Sequence, residues 1–352
     1  NVRNKILFTI FIIFVFRVGT HVTVPGINAE SLKQLSDLPF LNMLNLVSGN
    51  AMNNFSIFSM GVSPYITASI IVQLLQMDIY PKFVEWGKQG EVGRRKLNQA
   101  TRYITLVLAF VQSIGITASF NTLSSISLVK TPNVSTYLLI GTILTAGSII
   151  VTWLGEQITD KGFGNGVSMI IFSGIIASIP KMFSTIYEDF FVNVRTGELT
   201  RSYIIVALLI VVGLAIVFFT TFVQQAEYQI PIQYTKLVQG APTSSYLPLK
   251  VNPAGVIPVI FASSITTIPS TILPFFSKVT WLSHLQGLLS YNTPSGMITY
   301  AILIILFSFF YTFVQVNPEK TAENLQKNGS YIPSVRPGRE TEKYMSSLLK
   351  RL

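Results

Sequence analysis

The stretch from Tyr203 to Val223 reads YIIVALLIVVGLAIVFFTTFV, and it decides the class of the fold. It contains no charged residue and a single glycine. A helix needs about 20 mostly apolar residues to cross the hydrocarbon core of a bilayer. The stretch is therefore predicted to be a transmembrane helix.

The composition of the whole chain agrees with a membrane protein. Of its 352 residues, 49% are hydrophobic and 11% are charged, and the mean hydropathy is +0.52. A soluble domain has about 25% charged residues. The absence of cysteine excludes a disulfide scaffold and a cysteine-ligated metal site. On a chain this apolar, the net charge of +10 favours basic loops beside a membrane over nucleic-acid binding.

Seven further apolar runs are candidates for spans. They lie at about residues 6–24, 62–79, 103–121, 135–154, 166–184, 254–276 and 296–316. The second is the weakest, because its fully apolar part is short. The chain begins at Asn1, and residues 344–349 look like the approach to a ninth span. We therefore expect an all-α polytopic membrane protein, a fragment with eight spans and the start of a ninth.

The basic residues indicate the direction of the spans. Lys and Arg are enriched in cytoplasmic loops. Alternate loops on one side hold 18 of the 25 basic residues, and that side includes the N-terminus. The N-terminus is therefore predicted to be cytoplasmic, together with loops at about 80–102, 155–166, 224–252 and 317–343.

The spans contain almost no ionisable residues, although such residues usually mark ion sites or proton relays. The exception is Arg17, near the outer end of the first span, where a helix-end anchor that snorkels to the interface is the favoured interpretation. This pattern argues against an ion-coupled transporter. Residues 162–166 (GFGNG) lack the Lys-Ser/Thr of a phosphate loop and are predicted to form a tight turn. His21 and His284 are too far apart in sequence to favour a metal pair.

Prolines fall within two spans. Pro64 lies near the start of the second, and Pro258, Pro269 and Pro274 lie in the seventh. Each proline by itself indicates a packing kink. Their concentration in two spans favours a movable or cavity-lining pair of helices, since broken helices at membrane depth require protein or water beside them.

Branched apolar residues form short stripes. Val62, Ile66 and Ile70 share one helix face, as do Val167 and Ile171, and Ile260 follows Pro258. Such side chains could form a hydrophobic constriction that closes a pore by excluding water. The spacing alone favours a face toward lipid or neighbouring helices.

Residues 39–60 form an unusual segment. The apolar part, with Leu41, Met43, Leu44, Leu46 and Val47, is too short to cross a bilayer and is interrupted by Gly and Asn before the apolar pattern resumes. The pattern indicates a re-entrant segment. An amphipathic loop on the outer membrane surface is the alternative.

Several blocks of sequence identify a family. They are 64–71 (PYITASII) with 73–75 (QLL), 89–96 (QGEVGRRK), 153–159 (WLGEQIT) with 162–166, 247–252 (LPLKVN) with 254–258 (AGVIP), 317–318 (NP) and 335–338 (VRPG). Their order and spacing resemble the SecY family, the central subunit of the bacterial protein-translocation channel. The resemblance covers nearly the whole chain.

The resemblance implies a ten-helix channel of two pseudo-symmetric five-helix halves, here 1–184 and 185–352. It implies a pore ring of Val62, Ile66, Ile70, Val167, Ile171 and Ile260, a plug at about 39–54 and a lateral gate that includes Thr67 and Ile268. It also implies docking of partners at Arg94, Arg95, Arg336 and Arg339. The expected partners are SecE, SecG, the SecA motor ATPase and the ribosome, in the bacterial cytoplasmic membrane.

The implied function is conduction of unfolded polypeptide across, or sideways into, the membrane, with no covalent chemistry and no cofactor. One departure concerns the loop after the sixth span, where Tyr228 and Gln229 stand in place of the family's usual basic pair. The alternatives are a small-solute secondary transporter with broken helices and an insertase or scaffold without a pore.

Overall fold

The computed structural model describes residues 2–28, 48–49, 51–76, 80–123, 128–192, 199–234, 244–272 and 293–351. The chain forms two compact units, Asn1–Thr185 with Ser263–Tyr300 and Ile186–Ala262 with Ala301–Leu352. The helices are α1 (Val2–Gly19), α2 (Ser63–Leu75), α3 (Pro81–Lys88), α4 (Gly90–Leu123), α5 (Val134–Lys161), α6 (Gly166–Tyr187), α7 (Leu199–Gln225), α8 (Ile257–Ile272), α9 (Pro294–Gln315), α10 (Pro318–Lys327) and α11 (Arg339–Arg351). A π-helical turn, Glu188–Val192, follows α6, and the strands are β1 (Glu227–Tyr234), β2 (Ser244–Lys250) and β3 (Ser330–Tyr331).

Each of the eight predicted spans contains a helix. Within the part of the chain that the structure describes, five helical stretches are long and apolar enough to cross a membrane: Gly90–Ala118, Val134–Lys161, Gly166–Val192, Arg201–Gln225 and Pro294–Lys327. The helix α2 has 13 residues and α8 has 16, fewer than the roughly 20 of a typical span. The helical multi-span fold is confirmed, whereas the count of eight spans rests mainly on the sequence.

The prolines start helices as well as lying inside them. Pro64 and Pro258 lie in the first turns of α2 and α8, where the missing N–H costs no intrahelical hydrogen bond. Pro269 lies within α8, and Pro274 lies outside the described residues. Pro180 lies inside α6, so a third predicted span also contains a proline.

In the first unit, α4 packs against α2 and α5, and α1 packs against α5. The contact between α4 and α5 is close at Gly141, because a Cβ atom there would lie 2.9 Å from Ile114. The Ser113 hydroxyl on α4 donates a hydrogen bond to the Gly141 carbonyl at 3.2 Å. A small residue and a shared hydroxyl thus let the two helices approach closely, as is usual between membrane helices.

The turn segment, residues 51–62, leads into α2 and is hydrogen-bonded to the chain that follows α1. The amide of Val24 donates to the carbonyl of Phe55 at 3.1 Å, and the amide of Ile57 donates to the carbonyl of Val22 at 2.9 Å. These bonds satisfy backbone groups that would otherwise be buried without partners. The segment is buried among apolar residues of the same unit: Val24, Ile27, Ile116, Leu128, Val129, Ile140 and Leu144.

In the second unit, the predicted loop at 224–252 contains a β-hairpin. The strands β1 and β2 are antiparallel, with Ile230 opposite Leu247, and β3 pairs with the end of β1 to give the order β2-β1-β3. The strands were not predicted from the sequence, because Pro231 and Pro248 are unfavourable in a regular ladder of hydrogen bonds. Among the described strands, β2 pairs only with β1, and β3 pairs with only two residues of β1. Each proline-containing strand thus has an open side, where proline is tolerated.

The helix α11 covers one face of this sheet. Its buried residues Thr341, Met345 and Leu349 recur every four positions, and Met345 is packed with Ile230 and other apolar residues of the sheet. Acidic residues in its first turn and basic residues in its last complement the helix dipole. Residues 344–349, predicted to begin a ninth span, therefore lie in an amphipathic helix that packs on the sheet.

Candidate functional site

Four of the six residues assigned to a pore ring lie in one apolar cluster. Val62 directly precedes α2 and is fully buried, and Ile66 lies four residues later, within α2. Val167 and Ile171 lie one turn apart on α6. The buried members of the cluster are Ile12, Phe16, Ala51, Phe58, Val62, Val151, Leu154, Ile158 and Ile170. Two helices far apart in sequence thus bring their stripes into one apolar environment.

The other two ring candidates are placed differently. Ile70 is buried on α2, one turn beyond Ile66. Ile260 lies in the first turn of α8 and belongs to the second unit. The ring assignment of the six residues therefore stays a prediction.

Two glycines position the start of α6 against α5. A Cβ atom at Gly166 would overlap the carbonyl oxygen of Gly155, and a Cβ atom at Gly155 would lie 3.3 Å from the Val167 side chain. The backbones of the two helices are therefore in direct contact. This contact fixes where Val167 and Ile171 enter the cluster.

The sequence GFGNG forms the predicted tight turn between α5 and α6. Gly164 has a φ of +73°, a conformation that favours glycine. The Thr159 hydroxyl accepts a hydrogen bond from the Gly166 amide at 2.9 Å, and the Asn165 side chain accepts one from the Ser168 amide at 3.2 Å. The Phe163 amide donates to the Thr9 hydroxyl on α1 at 3.1 Å, so the turn is also attached to the first helix.

The predicted gate residues are described to different extents. Thr67 is buried on α2, and its hydroxyl donates to the carbonyl of Ser63 at 3.1 Å. Ile268 lies in α8, but its side chain is outside the described residues. The gate assignment stays a prediction.

The predicted plug residues Leu41, Met43, Leu44, Leu46 and Val47 lie outside the described residues. The next two residues of the predicted plug, Ser48 and Gly49, are described and buried. The Arg17 guanidinium donates a hydrogen bond of 2.7 Å to the Gly49 carbonyl. The predicted role of Arg17 as a helix-end anchor did not include a hydrogen bond to Gly49. A lone arginine inside an apolar run was the signal, but the sequence did not indicate which carbonyl it binds.

The predicted docking arginines are all exposed. Arg94 and Arg95 lie in the N-terminal part of α4, and Arg94 lines a groove of about 570 Å³ together with Trp86 of α3. The ammonium group of Lys96 lies 6.0 Å from the centre of the Trp86 ring.

Arg336 lies in the turn before α11, and Arg339 begins that helix. A hydrogen bond holds the backbone at Arg336 against the start of α11, because the Thr341 hydroxyl donates to the Arg336 carbonyl at 2.9 Å. None of the four docking arginines is ion-paired with a described residue. Their charges are therefore accessible to a partner.

No group of three or more metal-ligating side chains occurs among the residues that the structure describes. His21 is exposed after the end of α1, and His284 is outside the described part.

Long apolar helices, an apolar cluster to which α1, α2, α5 and α6 contribute, and an exposed sheet-and-helix region define a polytopic helical membrane protein. Solved structures share this fold. A protein-conducting channel matches with a TM-score of 0.64 and 16% identity over 100% of this chain and 82% of its own. Sec61 of the canine ribosome-channel complex matches with a TM-score of 0.61 and 16% identity over 99% of this chain and 83% of its own.

The SecY family model matches residues 56–352. The chain is 72% identical to the protein translocase subunit SecY of Streptococcus gordonii, over 100% of this chain and 82% of that protein. It is 50% identical to the protein translocase subunit SecY of Bacillus subtilis, again over 100% of this chain and 82% of that protein. The chain belongs to the SecY family. The resemblance stated from the motifs is confirmed, and the transporter alternative finds no support.

Proposed function

We propose that this chain is the pore subunit of a translocation channel that conducts unfolded secretory polypeptides across the bacterial cytoplasmic membrane. The same channel releases apolar segments sideways into the bilayer. The observation that carries the proposal is the apolar cluster where Val62 and Ile66 meet the start of α6 with Val167 and Ile171. Membership of the SecY family supports it.

An apolar ring suits this task for a physical reason. It fits around unrelated polypeptides because it makes no sequence-specific hydrogen bonds. With no chain inside, a narrow apolar constriction excludes water and so opposes ion flow. We assign Ile70 and Ile260 to the same ring, and residues 39–54 to a plug that adds a second seal.

Lateral release requires two parts that separate. We propose that residues 1–184 and 185–352 form the two halves of the channel, and that Thr67 on α2 and Ile268 on α8 lie at the gate between them. A sufficiently apolar signal sequence would stabilise the open gate by exchanging contacts with the channel for contacts with lipid.

The proposed orientation places the N-terminus in the cytoplasm, since 18 of the 25 basic residues lie on that side. The exposed Arg94, Arg95, Arg336 and Arg339 would then face cytoplasmic partners. We propose the SecA motor ATPase and the ribosome as those partners, with SecE and SecG completing the channel in the membrane. Energy for transport would come from the partner, and the chain itself would act without covalent chemistry.

The ring is tested by substituting Ile66→Asn, Ile171→Asn and Ile260→Asn in the complete channel. Each polar amide should wet the constriction, raising the resting ion leak and permitting export of a protein with a defective signal. The matched control is Ile150→Asn, because Ile150 is exposed on α5 and lies outside the apolar cluster.

The control should change neither measurement. Unchanged leak and unchanged export in all three ring variants would show that the ring assignment is wrong. They would leave a scaffold without a pore as the better interpretation. A leak equal in the ring variants and the control would also contradict the assignment.

A further inference from the structure

Arg17 connects α1 to Gly49, which lies in the C-terminal part of the proposed plug. Its Nη1 atom lies 2.7 Å from the carbonyl oxygen of Gly49, across 32 positions of sequence. This distance is short for a bond between nitrogen and oxygen, as expected when the donor is charged.

The position of Gly49 is fixed by its surroundings. Its φ is +69°, a conformation that side chains other than glycine rarely adopt. A Cβ atom there would lie 3.1 Å from the Cα atom of Gly174 on α6 and 3.3 Å from the ring of Phe16 on α1. The backbone of Gly49 is therefore held between two helices, with its carbonyl directed at the guanidinium.

The environment of Arg17 strengthens the bond. Arg17 is the one charged residue in the described lining of an apolar groove of about 430 Å³ between α1 and α6, which includes Ile13, Met169 and Phe172. A hydrogen bond is stronger in apolar surroundings than in water, and leaving it unmade there is costly. Breaking the bond between the guanidinium and the Gly49 carbonyl should therefore be costly.

Other contacts hold the later part of this region. The side-chain amide of Asn54 donates to the carbonyl of Thr20 at 3.4 Å, and the Ser148 hydroxyl on α5 donates to the carbonyl of Gly61 at 3.0 Å. Within the described residues, Ser48 is bonded to the turn segment, because the Ala51 amide donates to its carbonyl at 3.4 Å. The guanidinium bond is the contact that ties this part of the region to α1.

We propose that Arg17 is a positioning residue for the plug: it latches the plug's C-terminal end to α1 and so keeps the resting channel closed. This inference rests on the proposed function, because it assumes that residues 39–54 form a seal. Loss of the latch would free the residues around Gly49, while the turn segment would stay attached through Asn54 and Ser148.

The experiment uses the absence of native cysteine. In the complete channel in membranes, Ser48→Cys introduces a single thiol at a side chain that is 2% exposed. The rate of its reaction with a water-soluble maleimide reports how often this end of the plug opens. Adding Arg17→Gln should raise the rate by about tenfold, the order expected for losing a hydrogen bond to a charged donor.

Three variants serve as comparisons. Arg17→Lys keeps the charge but not the planar fork, and should give an intermediate rate. Arg3→Gln removes an exposed arginine at the other end of α1 and should leave the rate unchanged. Ser113→Cys reports general loosening, because Ser113 is buried where α4 contacts α5 at Gly141.

The outcomes separate the latch from the seal. A faster reaction at position 48 in Arg17→Gln, with none at position 113, supports the latch. If the resting ion leak rises as well, the proposed seal is supported too. A faster reaction without a leak supports the latch and counts against the seal. An unchanged rate at position 48, or an equal rise at position 113, overturns the latch.

Discussion

Arg102 on α4 and Glu156 on α5 form a bidentate ion pair. The Nε–Oε1 distance is 3.1 Å and the Nη2–Oε2 distance is 2.6 Å. The pair joins two helices that are 54 positions apart in sequence. Glu156 belongs to the motif WLGEQIT, and Arg102 belongs to the predicted basic loop.

Removing this pair should cost little stability. The Arg102 side chain is 61% exposed and that of Glu156 is 23% exposed, so water screens the attraction. We expect Arg102→Gln to lower the free energy of unfolding by about 1 kcal/mol or less. The measurement is a double-mutant cycle with Glu156→Gln in detergent. A coupling energy well above about 1 kcal/mol would contradict the expectation that water screens this pair.

Substitution of Gly147 should be much more harmful. A Cβ atom there would overlap the carbonyl oxygen of Ile57 and lie 3.4 Å from the ring of Phe58. Gly147→Ala must push the turn segment away from α5, so we expect a loss of about 1–3 kcal/mol. Thermal unfolding measures it.

The control is Gly213→Ala on α7. A Cβ atom at Gly213 meets no atom within 4 Å. The substitution should therefore leave the free energy of unfolding unchanged or raise it by up to about 1 kcal/mol, because alanine favours a helix more than glycine does. Equal effects at the two glycines would contradict the close approach of α5 to the turn segment.

Truncation of Met345 should loosen the sheet. Its side chain is 0% exposed and lies in the apolar cluster with Ile230, Leu249 and Ile332. Met345→Ala removes buried volume, so a local loss of about 2–5 kcal/mol is expected. Faster amide hydrogen exchange in β1 would show it. Tyr344→Ala is the matched control, since Tyr344 is 37% exposed on the same helix. Equal exchange in the two variants would count against the docking of α11.

Charge reversal at Arg336 should impair motor-driven export. If the arginine meets an acidic surface of the motor, Arg336→Glu should slow export by about tenfold at low salt, because opposite charges accelerate association. Export kinetics in vesicles measure this effect, and the amount of channel in the membrane should not change. Lys320→Glu is the control, since Lys320 is exposed on the neighbouring helix α10. Unaltered kinetics for Arg336→Glu would remove it from the docking surface.

The family, the fold class and the helical core of every predicted span could be read from the sequence. Apolar runs such as Tyr203–Val223 predict helices because a bilayer demands a fixed length of apolar chain, and that demand is local. The motif residues made the family recognisable because their order and spacing are also properties of one chain. The turn at Gly164 followed from local glycine chemistry in the same way.

The tertiary structure decided which distant groups meet. The bond between Arg17 and Gly49, the backbone contact of Gly155 with Gly166 and the packing of Met345 on Ile230 each join residues that no local pattern relates. The hairpin was missed because its prolines mask the alternation that predicts strands. The sequence by itself therefore determined that the chain is a bundle of membrane helices, because hydropathy acts residue by residue, and its motifs carried the resemblance to the SecY family. Close packing, and buried polar groups that must find partners in three dimensions, decided which distant residues of that bundle are in contact.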